Sequence, residues 1–341
     1  MTRFTKTLSR CVFATCLSVL APALAAAPYC EALLDAEALP EKYASLAPVY
    51  SSADTGWIFA ANQMRQSFAL KDKPKAMMAE IVQGFEAKGV KLAILITPPR
   101  PVVAGQGILR KTMGAAAADY DATATQASFQ AMLAEYRGMG AIVPDLSVLA
   151  LSDPQLRRRF YFRRDTHWTT VGAAHSAEAL AQAVAAEAPK LRMAEGPAIL
   201  GWKGKIEERG SLADLVRKSC DQKVPKETSN IAVLADVPGA GLLDDTEGPQ
   251  IALVGTSFSD RYKRDHYRVA DAMAAAFGRS VVNHSVSGGG LHRAMQSFLN
   301  SGGLDNQAYD LVIWEIPYTQ NFNSTKRLGA VLKAMKAAQN G

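Results

Sequence analysis

The sequence predicts an α/β fold built on a mainly parallel, doubly wound sheet. Runs of almost continuous apolar residues at 91–97, 250–255 and 310–316 suit strands buried on both faces. Stretches with helical apolar spacing alternate with these runs, and glycine or proline marks most junctions. A chain of 341 residues, 48% hydrophobic and 21% charged, can bury one large core, so disorder is not expected.

The first residues read as an export leader. Arg3, Lys6 and Arg10 precede an apolar stretch at 11–20, and Ala23-Leu24-Ala25 supplies a small-residue cleavage signal, so residues 1–25 are set apart from a mature domain at 26–341. The apolar stretch is short for a bilayer span, which favours a cleaved leader over an uncleaved membrane anchor. Without Arg3, Lys6 and Arg10 the Lys+Arg total falls from 38 to 35 against 32 acids, and the net charge from +6 to +3. That excess is too small to argue for nucleic acid as a partner. Cys11 and Cys16 leave with the leader, and the remaining Cys30 and Cys220 form most simply one disulfide in an oxidising compartment, two free thiols being the alternative. No Cys-x-x-Cys pair or Cys/His cluster exists in the sequence, so no structural metal and no cofactor is expected.

Along the mature chain, residues 31–39 read as a short helix and 54–59 as a turn followed by an aromatic-rich strand, with Trp57 in the core. A helix at 74–88 carries Met77, Met78, Ile81, Val82 and Phe85 at helical spacing, and Gly89 closes it. The strand at 91–97 stops at Pro98-Pro99, leaving Arg100 just past its carboxyl end, where open α/β sheets place their sites. A helix at 121–137, breaks at Gly138 and Gly140, and a second strand at 141–145 repeat the rhythm; Pro144 makes that strand short or an edge. Thr169 or Thr170 caps an alanine-rich helix running to about Glu187. Residues 203–246 are the least legible stretch, an excursion with room for short strands and no evident function, held down by Cys220. The strand at 250–255 leads through Thr256-Ser257-Phe258-Ser259 into a helix expected from about Tyr262 to Phe277. Strands at 280–286 and 310–316 follow, trailed by Gly288-Gly289-Gly290 and by Pro317-Tyr318, and an amphipathic helix occupies the tail after Lys326.

Two of these segments carry the chemistry. Asp165 and His167 stand two residues apart ahead of a helix start, and Ser257 stands where a buried strand meets a small-residue turn. Those are the parts of a hydroxyl nucleophile, a base that activates it, and a carboxylate that orients the base. Amides at the helix start after Ser257, and the Gly288–Gly290 stretch, are candidates for holding an oxyanion. Ser259 stands where the second glycine of a G-x-S-x-G elbow would be. The plain alternatives are a helix cap at Gly255-Thr256-Ser257, a solvated Asp165 and His167, and a flexible glycine loop.

Taken together, the segments resemble the alginate O-acetyltransferase family of the AlgJ and AlgX type, SGNH-hydrolase-like proteins that are exported or membrane-tethered. The resemblance spans about residues 54–322. It rests on Gly56-Trp57-Ile58-Phe59, Pro98-Pro99-Arg100, Asp165-Thr166-His167-Trp168, Gly255-Thr256-Ser257-Phe258-Ser259, the glycines at 288–290 and Trp314-Glu315-Ile316-Pro317. It implies a three-layer α/β/α fold, a permuted chain order with the Asp-His block ahead of the serine, and a periplasmic location. It also implies that Ser257 receives an acetyl group from a membrane-bound O-acyltransferase partner and passes it to an exported polysaccharide such as alginate, beside other export proteins. Thr256 stands where many relatives have Asp, and Tyr318 where a longer basic segment is common. Ser257, His167 and Asp165 are the catalytic candidates; Gly288, Gly289, Arg100, Arg293 and Tyr318 are candidates for oxyanion or glycan contact, with Arg163 and Arg164 as further cations near the site. A secreted esterase of the same fold and a catalytically silent glycan-binding subunit are the rival readings.

Overall fold

The computed structural model describes residues 28–237, 249–260 and 267–340; the expected leader lies outside them. In chain order the strands are β1 (Val49–Ser51), β2 (Ile58–Ala60), β3 (Lys91–Ile96), β4 (Ile199–Glu208), β5 (Glu227–Leu234), β6 (Gln250–Val254), β7 (Val281–Asn283) and β8 (Tyr309–Ile316). The central sheet is four-stranded and wholly parallel, in the order β3-β8-β6-β7. Its strands alternate between two cores, as period-two geometry requires. Leu92, Ile94 and Ile96 join Ala252, Val254, Val312 and Trp314 on one face, packed under helices Asp72–Ala87, Ala122–Gly138, Arg293–Asn300 and Thr325–Asn340. Ala93, Leu95, Ile251, Leu253, Leu311 and Ile313 face the other way, onto helices Thr170–Glu187 and Val269–Phe277. The result is the three-layer α/β/α arrangement, and it puts the ends of β3, β6 and β8 side by side.

Four sequence expectations change. The strand at 141–145 shrinks to a single bridge beside β3, where the Ile94 and Ile142 amides pair with Ile142 O and Leu92 O before Pro144, which has no amide to offer, ends the ladder. The helix at 31–39 is only a 3-10 turn, Glu31–Leu34, because the Asp35 side chain accepts the Glu37 amide and competes with helix formation. β7 stops at Asn283, whose own side chain accepts the Ser285 amide. The helix expected from Tyr262 begins at Val269: Arg268 has φ 49°, a left-handed conformation that a right-handed helix does not continue from, and residues 261–266 lie outside the described ones.

The excursion at 203–246 is built on the antiparallel pair β4–β5, with helix Ser211–Cys220 between its strands. Residues 238–246 of it lie outside the described residues. Leu212, Leu215 and Val216 of that helix share a third small core with Tyr29, Leu33, Val49 and Ile58. Cys30 is bridged to Cys220 there, joining residues 190 apart in sequence.

Candidate active site

β6 delivers Ser257 to the carboxyl edge of the sheet. After Val254 the chain makes one tight turn, in which the Ser259 and Asp260 amides both donate to Thr256 O. Beneath it lies Glu315 of β8, which accepts the Thr256 amide at 2.7 Å, the Thr256 hydroxyl at 3.0 Å and the Ser259 hydroxyl at 3.2 Å. Gly255 makes room for this carboxylate, since a β-carbon there would fall 2.5 Å from Glu315 Oε2. Of the amides from Thr256 to Asp260, those of Thr256, Phe258, Ser259 and Asp260 are engaged, and that of Ser257 has no partner among the described residues. The turn therefore replaces the helix start expected after Ser257.

The base arrives from the other core. Tyr161 and Trp168 form an antiparallel bridge that pinches residues 161–168 into a loop, and the Thr169 hydroxyl caps helix Thr170–Glu187 by accepting the Gly172 amide. Trp168 is fully buried, and its indole N–H donates to Phe258 O at 3.0 Å, fixing this loop against the serine turn. His167 Nε2 then stands 2.8 Å from Ser257 Oγ. On its far side, His167 Nδ1 meets Asp165 Oδ1, which also accepts the His167 amide at 2.8 Å. Asp165 is fully buried, and its second oxygen accepts the Ser211 amide at 2.6 Å. Ser211 opens helix Ser211–Cys220, whose amide end favours a carboxylate. Gly210 has φ 80°, and a β-carbon on it would strike Arg164 O at 2.3 Å, so this approach needs glycine. Glu227 of β5 completes the grip by accepting the Arg163 and Arg164 amides at 3.1 and 2.7 Å. Burial pushes its carboxyl up, against these two bonds. The stretch for which the sequence suggested no function thus holds the acid and its loop.

A cavity of about 220 Å³ opens over Ser257 and His167, bordered by Asn62, Gln63, Gly288, Gly290, Thr319 and Gln320. Gly288 lines it, with φ 75°. Gly289 is turned away: it is buried and its amide donates to Val286 O at 2.8 Å, so it is not available as an oxyanion donor. Two expected glycan contacts are corrected by burial. Arg100 is fully enclosed, donating to Ile58 O, Gln63 Oε1, Phe162 O and Arg163 O, with its guanidinium over the rings of Trp57 and Phe59. Tyr318 is 1% exposed and donates to Gln63 O at 3.4 Å. Both brace the cavity wall from behind. Arg293 is exposed and stands outside the cavity lining, Arg163 is exposed beside Thr55, and Arg164 packs on Gly56. Among the described residues, no three His, Cys, Asp or Glu side chains are grouped to hold a metal ion.

Desolvation holds the buried Arg100 pKa below its ordinary value, the charge being kept by its four acceptors and by nearby Tyr318, Tyr161 and Asp165. Arg100→Met strands those acceptors and is expected to cost about 3 kcal/mol of stability, read by denaturant melts. An unchanged midpoint would show that the carbonyls find other donors. Burial likewise pushes the Glu315 carboxyl up to about 7, against bonds from Thr256 and Ser259 that favour its anion. The folded protein then holds this proton more tightly than the unfolded chain. Its contribution is complete below the unfolded value near 4.5 and is lost as pH rises to about 7, a decline of roughly 3 kcal/mol. Denaturant melts between pH 4.5 and 8 should show that slope in the native protein and its absence in Glu315→Gln.

With this geometry in place, comparison with known proteins gives the family. The model of the SGNH hydrolase-like domain of acetyltransferase AlgX matches residues 51–318, well over half of the chain. The chain belongs to this family. The alginate biosynthesis protein AlgX of Pseudomonas fluorescens is 28% identical over 312 residues, 87% of this chain and 62% of that protein. The probable alginate O-acetylase AlgJ of Pseudomonas putida is 29% identical over 191 residues, 54% of this chain and 48% of that protein. Among solved structures, AlgX of Pseudomonas aeruginosa superimposes with a TM-score of 0.73 at 22% identity, covering 92% of this chain and 72% of that one. The O-acetyltransferase domain of Pseudomonas putida AlgJ gives 0.60 at 20% identity, covering 85% and 99%. These likenesses establish the shared fold. The chain spans about three fifths of the length of the AlgX relatives it matches.

Proposed function

We propose that residues 26–341 form a periplasmic O-acetyltransferase domain, freed of a leader at 1–25, that moves an acetyl group through Ser257 onto hydroxyls of an exported polysaccharide, alginate or one like it. The observation that carries this reading is the 2.8 Å contact between His167 Nε2 and Ser257 Oγ at the floor of an open cavity, with Asp165 behind the imidazole. His167 takes the Ser257 proton as the hydroxyl attacks the acetyl donor, and Asp165 stabilises the imidazolium. The oxyanion falls to the Ser257 amide and the Gly288 main chain on the facing wall. The imidazolium gives the Ser257 proton to the departing group of the donor; the neutral imidazole then takes the proton of the acceptor hydroxyl as its oxygen attacks the acetyl carbon, and returns it to Ser257 Oγ as the ester bond to Ser257 breaks. The donor is a membrane-bound O-acyltransferase, and other polysaccharide-export proteins are its neighbours. Among the described residues no helix is long and apolar enough to cross a membrane.

The test uses an activated acetyl ester as donor and oligosaccharides as acceptors, with mass spectrometry of both protein and sugar. The expected result is acetyl on Ser257, passed to sugar faster than to water and absent in Ser257→Ala. Discharge only to water, at one rate across uronate and neutral acceptors, would make the protein an esterase.

A further inference from the structure

One buried donor has no part in the reaction as described so far. Gln63 ends the 3-10 turn Ala61–Gln63 that follows β2, is 1% exposed, and borders the catalytic cavity. Its side-chain oxygen accepts from Arg100 Nη1 at 2.7 Å and from the Ala60 amide at 3.3 Å, and its main-chain oxygen accepts the Tyr318 hydroxyl at 3.4 Å. Two donors on Oε1 fix which way the side chain faces, because a turned amide would set its N–H groups against theirs. Nε2 is thereby committed as a donor, and it is buried with no acceptor among the described residues. Buried donors in folded proteins are nearly always paired, since leaving one unpaired is costly.

Behind this amide stands a full positive charge. Arg100 is enclosed away from solvent, where a charge acts more strongly on its surroundings than it would in water. Its bond to Oε1 draws electron density through the amide and strengthens the Nε2 N–H groups as donors. The same charge is felt by Asp165, so Arg100 lies within electrostatic reach of the proposed triad.

We propose that Gln63 is a further catalytic residue of this site, its Nε2 donating to the acetyl carbonyl oxygen as negative charge develops there, with Arg100 the positioning residue that turns and polarises the amide. This rests on the acyl-transfer reading above. As Ser257 Oγ bonds to the acetyl carbon, its proton goes to His167 Nε2 and the carbonyl π electrons move onto the oxygen. That oxygen is held by Gln63 Nε2 together with the Ser257 amide and the Gly288 main chain. It returns the electron pair when the donor's leaving group departs with the His167 proton. A donor held dry and already oriented needs no reorganisation at that moment, which is where such groups gain their effect. The burial of Arg100 then has a use in the chemistry as well as in the fold: an apolar side chain in its place would leave the amide free to turn.

Acetylation of Ser257 is followed in single turnovers with p-nitrophenyl acetate, and the acetyl-enzyme formed without acceptor is read by infrared difference spectroscopy of an isotope-labelled carbonyl. Gln63→Glu keeps the acceptor for Arg100 and for the Ala60 amide while replacing Nε2 by oxygen. Gln63→Met removes the donor without adding a charge. Both are expected to slow acetylation about 100-fold at saturating ester, with the half-saturating concentration little changed. A donor on the oxygen weakens the C=O bond, so the carbonyl band of the native acetyl-enzyme should lie at lower wavenumber than in either variant. Arg100→Lys, measured below its melting transition, should raise the band part of the way. A purely structural role for Gln63 would shift the melts and leave the band in place. An unmoved band, or an unchanged acetylation rate, in folded Gln63→Glu protein overturns the assignment while leaving the acyl-transfer reading intact. Native protein that is never acetylated at Ser257 overturns that reading, and the assignment with it.

Discussion

Ser257→Ala is expected to reduce acetyl transfer by about 10⁴-fold or more, and Ser257→Ala/His167→Ala to cost little beyond that. The reason is the chain of contacts from Ser257 Oγ to His167 Nε2 and from His167 Nδ1 to Asp165. Once the nucleophile is gone, the base has nothing to deprotonate. Asp165→Ala is expected to cost less than either, because the imidazole keeps its place between Phe258 and Tyr267, at ring distances of 4.6 and 5.8 Å, while losing its orienting partner. Single-turnover rates with an activated acetyl ester separate the variants. Multiplying losses in the double variant would mean that serine and histidine act independently.

Removing the Cys30–Cys220 bridge should lower stability by up to about 5 kcal/mol, since it closes a loop of 190 residues in the unfolded chain. Helix Ser211–Cys220 ends at this bridge and begins at the amide that holds Asp165. Leu212, Leu215 and Val216 still anchor the helix by burial. Cys30→Ser/Cys220→Ser protein is therefore expected to melt much earlier yet keep its turnover below the transition. Lost turnover without a shifted melt would mean that the bridge sets the geometry of Asp165 and adds little stability.

Much of this was legible in the chain. The buried strands announced themselves as apolar runs, and the rule that open sheets bind at their carboxyl ends singled out the segments around Arg100 and Ser257. Chemistry carried by burial or by the main chain leaves no mark in the sequence. Arg100 reads as a surface cation because nothing local reveals four acceptors waiting for it from two distant segments, 58–63 and 162–163. Glu315 reads as an odd polar residue in a strand until the Thr256–Ser259 turn is seen to rest on it. A 262–277 helix looked continuous because apolar spacing does not register a left-handed residue at 268.

The grip on the Asp165 loop has a different kind of consequence, for how such a protein can change over time. Asp165 is held by the Ser211 amide, and Arg164 O by that of Ala213. Amides are the same in every residue but proline. Outside the buried Leu212, Leu215 and Val216, the bridged Cys220 and Glu227, the excursion can therefore exchange exposed side chains while still presenting two N–H groups to the same place. Gly210 and Glu227 are fixed for other reasons, the one for its close approach and the other for its two bonds. A loop secured in this way leaves the neighbouring surface open to diversification without dislodging the carboxyl that stands behind the His167 imidazole.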